Sequence, residues 1–246
     1  PLVNTDFNGV IFVGLNKINI MYKLALFMLF VSTAVFSQED IKYIDFTGIS
    51  ASGEITVTLM KAEGPSGFTL EMVSGNKEDV RIESNGTTLK VLIPNNNKTG
   101  RSNAKANVVV YHHALREISA KAGARITGNT IFETDQLDLV SGYNASIVVS
   151  CNAAVIAIDA SSKSKCTVSG KTDKLIIDAK AASVVNCGEL ISTNSIVSAS
   201  SASRVSVNTI HELVANTSSG STIKYAVKPE IVRTNEDHSG GTVSQM

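Results

Sequence analysis

Of the 246 residues none is tryptophan, only 5 % are aromatic and four are proline. Any core must therefore be built from aliphatic and small side chains, and extended segments run with few prolyl interruptions. Charge is equally spare, with 22 basic against 22 acidic residues. Nucleic-acid-binding domains concentrate positive charge, so this balance argues against that class of partner. The three cysteines, Cys151, Cys166 and Cys187, are odd in number, and neither a CxxC pair nor a Cys/His cluster is present. A disulfide framework normally uses an even count, so they read as small apolar core residues, with one bridge plus a free thiol as the alternative. The sequence also lacks a Gly-x-Ser-x-Gly elbow and a phosphate-binding loop.

No long apolar run is present except near the start. The chain opens at Pro1, and the first methionine, Met21, is followed by Tyr22, Lys23 and the apolar stretch Leu24 to Phe36. A positive residue, an apolar run and small residues at Val35 and Ser37 form a signal-peptide pattern that leaves Gln38 as the new N-terminus. The run falls short of the about 20 residues a membrane span requires. The expectation is an upstream segment (1–20) translated from a start placed too early, a signal peptide (21–37), and an exported chain with no stable membrane span after cleavage. No cysteine near the cleavage site offers a lipid attachment point, which leaves the periplasm, the outer surface or the extracellular space.

What is abundant is periodicity. The small residues Ala124, Ala145, Ser164, Ser183, Ser203 and Ser221 recur at intervals of 18 to 21. Two positions after each come Ile126, Ile147, Cys166, Val185, Val205 and Ile223. Six positions before come Ile118, Leu139, Ile158, Ile177, Val197 and Ala215. Four before, every residue is small: Ala120, Ser141, Ala160, Ala179, Ala199 and Thr217. Apolar columns two residues apart line one face of a strand. Each repeat thus reads as two short strands joined by a small-residue corner such as Ala160 to Ser164. A constant period lets every strand pair in parallel with its equivalent one coil later, at a spacing of about 4.8 Å. The spacing predicts an all-β solenoid, a parallel β-helix of about twenty-residue coils over 113–246, continuous with a head or capping β region over 38–112.

In that head region, short alternating runs flank Asn85-Gly86, a hairpin signal. Pro94 to Lys105 reads as a polar loop, and an antiparallel portion here would cap the apolar end of the stack. Ile44 to Val57 looks like one more coil, with Gly53 in the column of Ala124.

Three segments carry a family resemblance: Phe46-Thr47-Gly48-Ile49-Ser50-Ala51-Ser52-Gly53-Glu54-Ile55-Thr56-Val57, Gly86-Thr87-Thr88-Leu89-Lys90-Val91, and Leu115-Arg116-Glu117-Ile118-Ser119-Ala120-Lys121-Ala122-Gly123-Ala124. With Ser239-Gly240-Gly241-Thr242-Val243 they resemble the putative auto-transporter adhesin, head-GIN domain family of bacterial envelope proteins, across roughly residues 41 to 246. The family's Gly-Ile-Asn triplet is here Gly48-Ile49-Ser50. The resemblance implies a right-handed parallel β-helix, shaped like pectin lyases but without a recognised catalytic apparatus, and a role in adhesion.

Chemistry-bearing residues are sparse. Asp159 and Asp178 fall in one column, so stacking would bring two carboxylates within reach of a cation or a shared proton. Lys163, Lys165 and Lys180 lie nearby in sequence and can neutralise them, which makes a solvated, charge-compensated face the plainer reading. These surface candidates, Asp159, Asp178, Lys163 and Lys165, are assigned no catalytic, metal or cofactor role. His112 and His113 are adjacent and face opposite ways, and His211 and His238 stand apart; all four read as exposed or edge positions. The leading reading is a non-catalytic envelope module that presents a polar surface to a glycan or a cell-surface protein. The alternative is a carbohydrate-active β-helix enzyme, a polysaccharide lyase or hydrolase, using Asp159 and Asp178.

Overall fold

The computed structural model describes residues 42–94, 103–128, 130–236 and 239–246. The expected upstream segment and signal peptide, most of the expected Pro94–Lys105 loop and His238 lie outside them. The chain is a β-solenoid of about six turns whose strands pair mostly in parallel.

The regular part begins with strands labelled by position in the chain: β8 (Glu117–Lys121), β9 (Arg125–Gly128) and β10 (Phe132–Ser141). It continues through β11 (Ser146–Ala160), β12 (Lys165–Ala179), β13 (Val184–Ala199) and β14 (Arg204–Thr217), and closes with β15 (Thr222–Tyr225), β16 (Ile231–Glu236) and β17 (Thr242–Gln245). Each of β11 to β14 bends once, so one strand supplies both walls of a coil: wall A after the corner and wall B before the next one. The expected columns become ladders. Ile147 pairs with Ile126 and with Cys166, then come Val185, Val205 and Ile223. On wall B, Leu139 pairs with Ile118 and Ile158, followed by Ile177, Val197 and Ala215. All of these side chains are buried. Burying each larger one contributes about 1.5–3 kcal/mol, which holds the two walls together.

One rung of an otherwise apolar wall B ladder is polar. Ser195 stands between Leu175 and Leu213 in the wall B ladder. Its hydroxyl oxygen lies 2.8 Å from Ser192 Oγ and 2.7 Å from Thr209 Oγ1, and all three residues are buried. Each hydroxyl thus keeps a partner, the condition under which buried polar groups are tolerated. The three cysteines are buried and free, and none is bridged.

The corners are more demanding than small residues alone suggest. Six corners each hold two consecutive residues with positive φ: Ala122-Gly123, Tyr143-Asn144, Ser162-Lys163, Ala181-Ala182, Ser201-Ala202 and Ser219-Gly220. This is the backbone of a type I′ turn, and it costs a residue with a Cβ about 1–2 kcal/mol. Three sets of hydrogen bonds offset that cost. Within the turn, Ser164 N donates to Ser161 O. Between turns, Asn144 N donates to Ser162 O, Lys163 N to Ala181 O and Ala182 N to Ser201 O, so the corners form their own ladder. Finally the anchor serines, fully buried, reach one coil back. Ser164 Oγ donates to Ser141 O at 2.8 Å, Ser183 to Ala160 O at 3.0 Å, Ser203 to Ala179 O at 2.9 Å and Ser221 to Ala199 O at 2.7 Å.

The head adds one coil and a cap. Strands β1 (Lys42–Tyr43), β2 (Gly48–Ser52), β3 (Ile55–Lys61) and β4 (Gly67–Ser74) come first, then β5 (Arg81–Asn85), β6 (Thr88–Leu92) and β7 (Lys105–His112). Strands β2 and β3 are a true coil, parallel to β8 and β9, with Ile49 beside Ile118 and Val57 beside Ile126. That register moves the anchor position from Gly53 to Ile55. Gly53 is the corner itself, at φ 103°, where a Cβ would sit 3.0 Å from Ile93. Strand β4 runs antiparallel to β1 and β7, and β5 to β6, so the cap is antiparallel. The β5–β6 hairpin turns at Gly86-Thr87, with the positive φ of 66° at Gly86.

Candidate binding surface

Asp159 and Asp178 are register partners on the outward side of wall B, both exposed. Their cation is Lys180, whose Nζ lies 2.8 Å from Asp178 Oδ2. The hydrogen bond to Asp178, then the charges of Asp178 and Asp159, push the Lys180 ammonium above its ordinary pKa. Lys180 follows Asp178 by two residues, which is the signal that marks it in the sequence. The other two lysines stand elsewhere. Lys163 is the second positive-φ residue of a corner, and Lys165 lies past that corner on wall A, paired with Ser146 and Val184. The pair is thus a half-exposed, compensated surface feature.

A groove of about 720 Å³ follows the bend between the walls and is lined in part by Arg116, Glu133, Asp135, Lys171 and Asp173. Its cause is local. The ladder pairs Thr134 with Ala153 and Thr172, then resumes at Gln136, Val155 and Lys174. Asp135, Ala154 and Asp173 drop out of the pairing and stand where each coil turns. Their alternation slips by one residue at this point, a signal that the column alignment passed over. The groove carries charges of both signs on backbone that the neighbouring ladders hold in place.

Wall A presents a different surface. Its outward rows mix hydroxyl and amide groups with cations and the apolar Val148 and Val184, and the hydroxyls stack in places: Ser150 beside Ser169, 2.7 Å apart, and Thr222 beside Thr242 at 3.3 Å. Thr167 and Asn186 continue the adjacent row.

Of the described histidines, His112 departs from the expected exposed or edge position, whereas His113 and His211 are exposed. His112 is buried, packs edge-on against Phe132 at 5.2 Å, and its Nδ1 finds no partner among the described residues. Burial, helped by His113, holds its pKa down at about 4. His211 is exposed but not isolated, since its Nδ1 lies 2.7 Å from Glu230 Oε2. Burial pushes the Cys151 and Cys166 thiols up to about 12 and raises Cys187 as well, so none is poised as a nucleophile. Among the described residues no three His, Cys, Asp or Glu side chains form a group able to hold a metal ion. No helix there is long and apolar enough to cross a membrane.

Stacked coils, a serine-stapled corner and long polar ladders define a β-solenoid with an extended surface. The chain belongs to the putative auto-transporter adhesin, head GIN domain family, whose model matches residues 45–229. Solved structures share the fold at low identity. A putative adhesin from Bacteroides fragilis is 18 % identical with a TM-score of 0.73, covering 83 % of this chain and 94 % of that one. A putative adhesin from Parabacteroides merdae is 15 % identical, with a TM-score of 0.64 and coverage of 84 % and 95 %. A protein from Parabacteroides distasonis described as a putative lipid binding protein is 13 % identical, with a TM-score of 0.61 and coverage of 84 % and 94 %. No curated protein gives a significant match.

Proposed function

We propose that this protein is an exported, non-catalytic adhesin of the cell envelope, whose polar solenoid surface binds a glycan or a cell-surface protein. The observation that carries this reading is the run of stacked hydroxyl and amide rows on wall A, exemplified by Ser150 and Ser169. Such rows offer donors and acceptors at a fixed rise of about 4.8 Å, held by a rigid core. A partner with its own repeat gains from many weak, preorganised contacts rather than one deep pocket. Family membership supports adhesion, and the signal-peptide pattern read at 21–37 supports export.

The test is a glycan array probed with the full chain, with adhesion to intact bacterial cells and release of reducing ends from acidic polysaccharides measured in parallel. Binding without turnover is expected. Turnover abolished by Asp159→Ala or Asp178→Ala, or the absence of any binding to glycans and cells, would overturn the proposal.

A further inference from the structure

The rows on wall A are not uniform in charge. In the outward row immediately after the corners, Arg125 pairs with Ser146, Ser146 with Lys165, Lys165 with Val184, and Val184 with Arg204. Cations therefore occupy every second rung, and two rungs of parallel sheet span about 9.6 Å. Lys224 adds a fourth cation in the next row, beside Ser206. Arg125, Lys165, Arg204 and Lys224 are all exposed, and among the described residues none of them makes an ion pair. No carboxylate stands among the rungs from Arg125 to Arg204; Glu133 and Glu189 lie toward the bend, and Glu71 lies three rungs beyond Arg125 at the cap, past Thr56 and Asn107. Wall B, by contrast, carries Glu117, Asp138, Asp159, Asp178 and Glu212.

We propose that wall A binds a linear acidic polysaccharide bearing one carboxylate on every second sugar, laid along the stack. The inference rests on the binding-module reading above and names its ligand class and its face. An extended pyranose chain advances by nearly one strand spacing per sugar, so an acidic group on alternate sugars meets Arg125, Lys165 and Arg204 in turn. The intervening rungs, Ser146 and Val184, carry no charge and would face the neutral sugars. In the adjacent row, Thr127, Thr167, Asn186 and Ser206 can bond to ring hydroxyls, and the exposed Val148 between Thr127 and Thr167 offers an apolar contact. Attraction of this exposed kind is modest per contact and sensitive to salt, but it adds over a rigid array.

The experiment measures binding of the full chain to size-defined hyaluronan, which alternates a uronic acid with a neutral amino sugar. Neutral dextran and anionic phospholipid vesicles serve as comparators. Hyaluronan should bind at least about tenfold more tightly than dextran at low salt, and raising the salt should remove that preference. Combined Arg125→Gln, Lys165→Gln and Arg204→Gln should weaken binding about tenfold or more, while Lys90→Gln with Lys174→Gln, elsewhere on the surface, should leave it unchanged. A register variant, Ser146→Lys with Lys165→Ser, keeps the net charge but breaks the alternation, and should also weaken binding. Circular dichroism and melting curves establish that each variant folds. Equal binding to dextran, tighter binding to the vesicles, or indifference to the triple and register variants would overturn the inference. Adhesion to cells with no glycan binding would overturn it alone, whereas loss of both removes the module reading as well.

Discussion

Thr217 occupies the space that a side chain at Gly241 would need. A Cβ on Gly241 would lie 2.5 Å from Thr217 Oγ1 and 2.6 Å from its Cβ. In every earlier coil of the regular stack the residue four before the anchor is Ala or Ser, and the next anchor can be Ala or Ser. Where that residue grows to Thr217, the anchor after it shrinks to Gly241. We expect Gly241→Ala to destabilise the last coil by about 1–3 kcal/mol, as overpacking does. Adding Thr217→Ala should restore part of the loss. Hydrogen exchange at Thr222 and Thr242 reads the effect, and additive losses in the double variant would contradict the pairing.

The buried anchor hydroxyls make a second prediction. Ser203→Ala removes the donor to Ala179 O and the acceptor for Ser200 N. The cost should be about 1 kcal/mol, because Ser200 N and Ala179 O each lose one of two partners and keep their bond to each other. Urea unfolding should show it, and Ser201→Ala, at an exposed corner, should cost far less.

Corner strain can be relieved directly. Ala182 sits at φ 60°, so Ala182→Gly should be neutral or raise stability by up to about 1 kcal/mol, and Ala182→Val should lower it. The same ranking would be reversed on an ordinary strand. Melting temperatures of the two variants decide the matter.

Core and surface should separate cleanly. Ile158→Asp or Ile177→Asp places an unpaired charge in a fully packed ladder and should unfold the neighbouring coils, whereas Lys163→Asp should be nearly silent. Equal tolerance at the three positions, measured by denaturant midpoint, would show the ladder register to be wrong.

His112 predicts a pH dependence. Its folded pKa of about 4 lies below the ordinary 6.5, so between those values the unfolded chain binds the extra proton. Its contribution is complete above pH 6.5 and is lost as pH falls toward 4, by up to about 3 kcal/mol. Stability of His112→Gln, compared with the parent chain from pH 7 to pH 4, should show a shallower decline. An identical slope would mean that other groups set the acid response.

The solenoid was legible because its period repeats the same inward pattern many times. Ile126, Ile147, Val205 and their equivalents announce a ladder together, although no one of them would do so alone. The type I′ corners were less legible: Ser162-Lys163 and Ala181-Ala182 lack the Asn-Gly signature, since the positive φ there is held by bonds to neighbouring coils. Gly53 misled the head register because its small size matched the anchor column, while its actual role is the turn. The groove escaped because it arises where pairing slips at Asp135 and Asp173, and column alignment looks for what stays in step. Asp159 and Asp178 stand side by side as their shared column predicts, and of the three lysines near them in sequence Lys180 is the one that meets Asp178, since Lys163 and Lys165 lie around and past the corner.

The serine staples bond each coil only to the one before it, and the backbone bonds of both walls point along the stack. A pull along that axis therefore strains one rung at a time rather than shearing many at once. Each coil that yields would release about twenty residues and lengthen the tether by roughly 60 Å. Pulled along its stack, the solenoid would act as an extensible line: it gives in equal steps, dissipates work at each, and leaves the coils behind the break still folded.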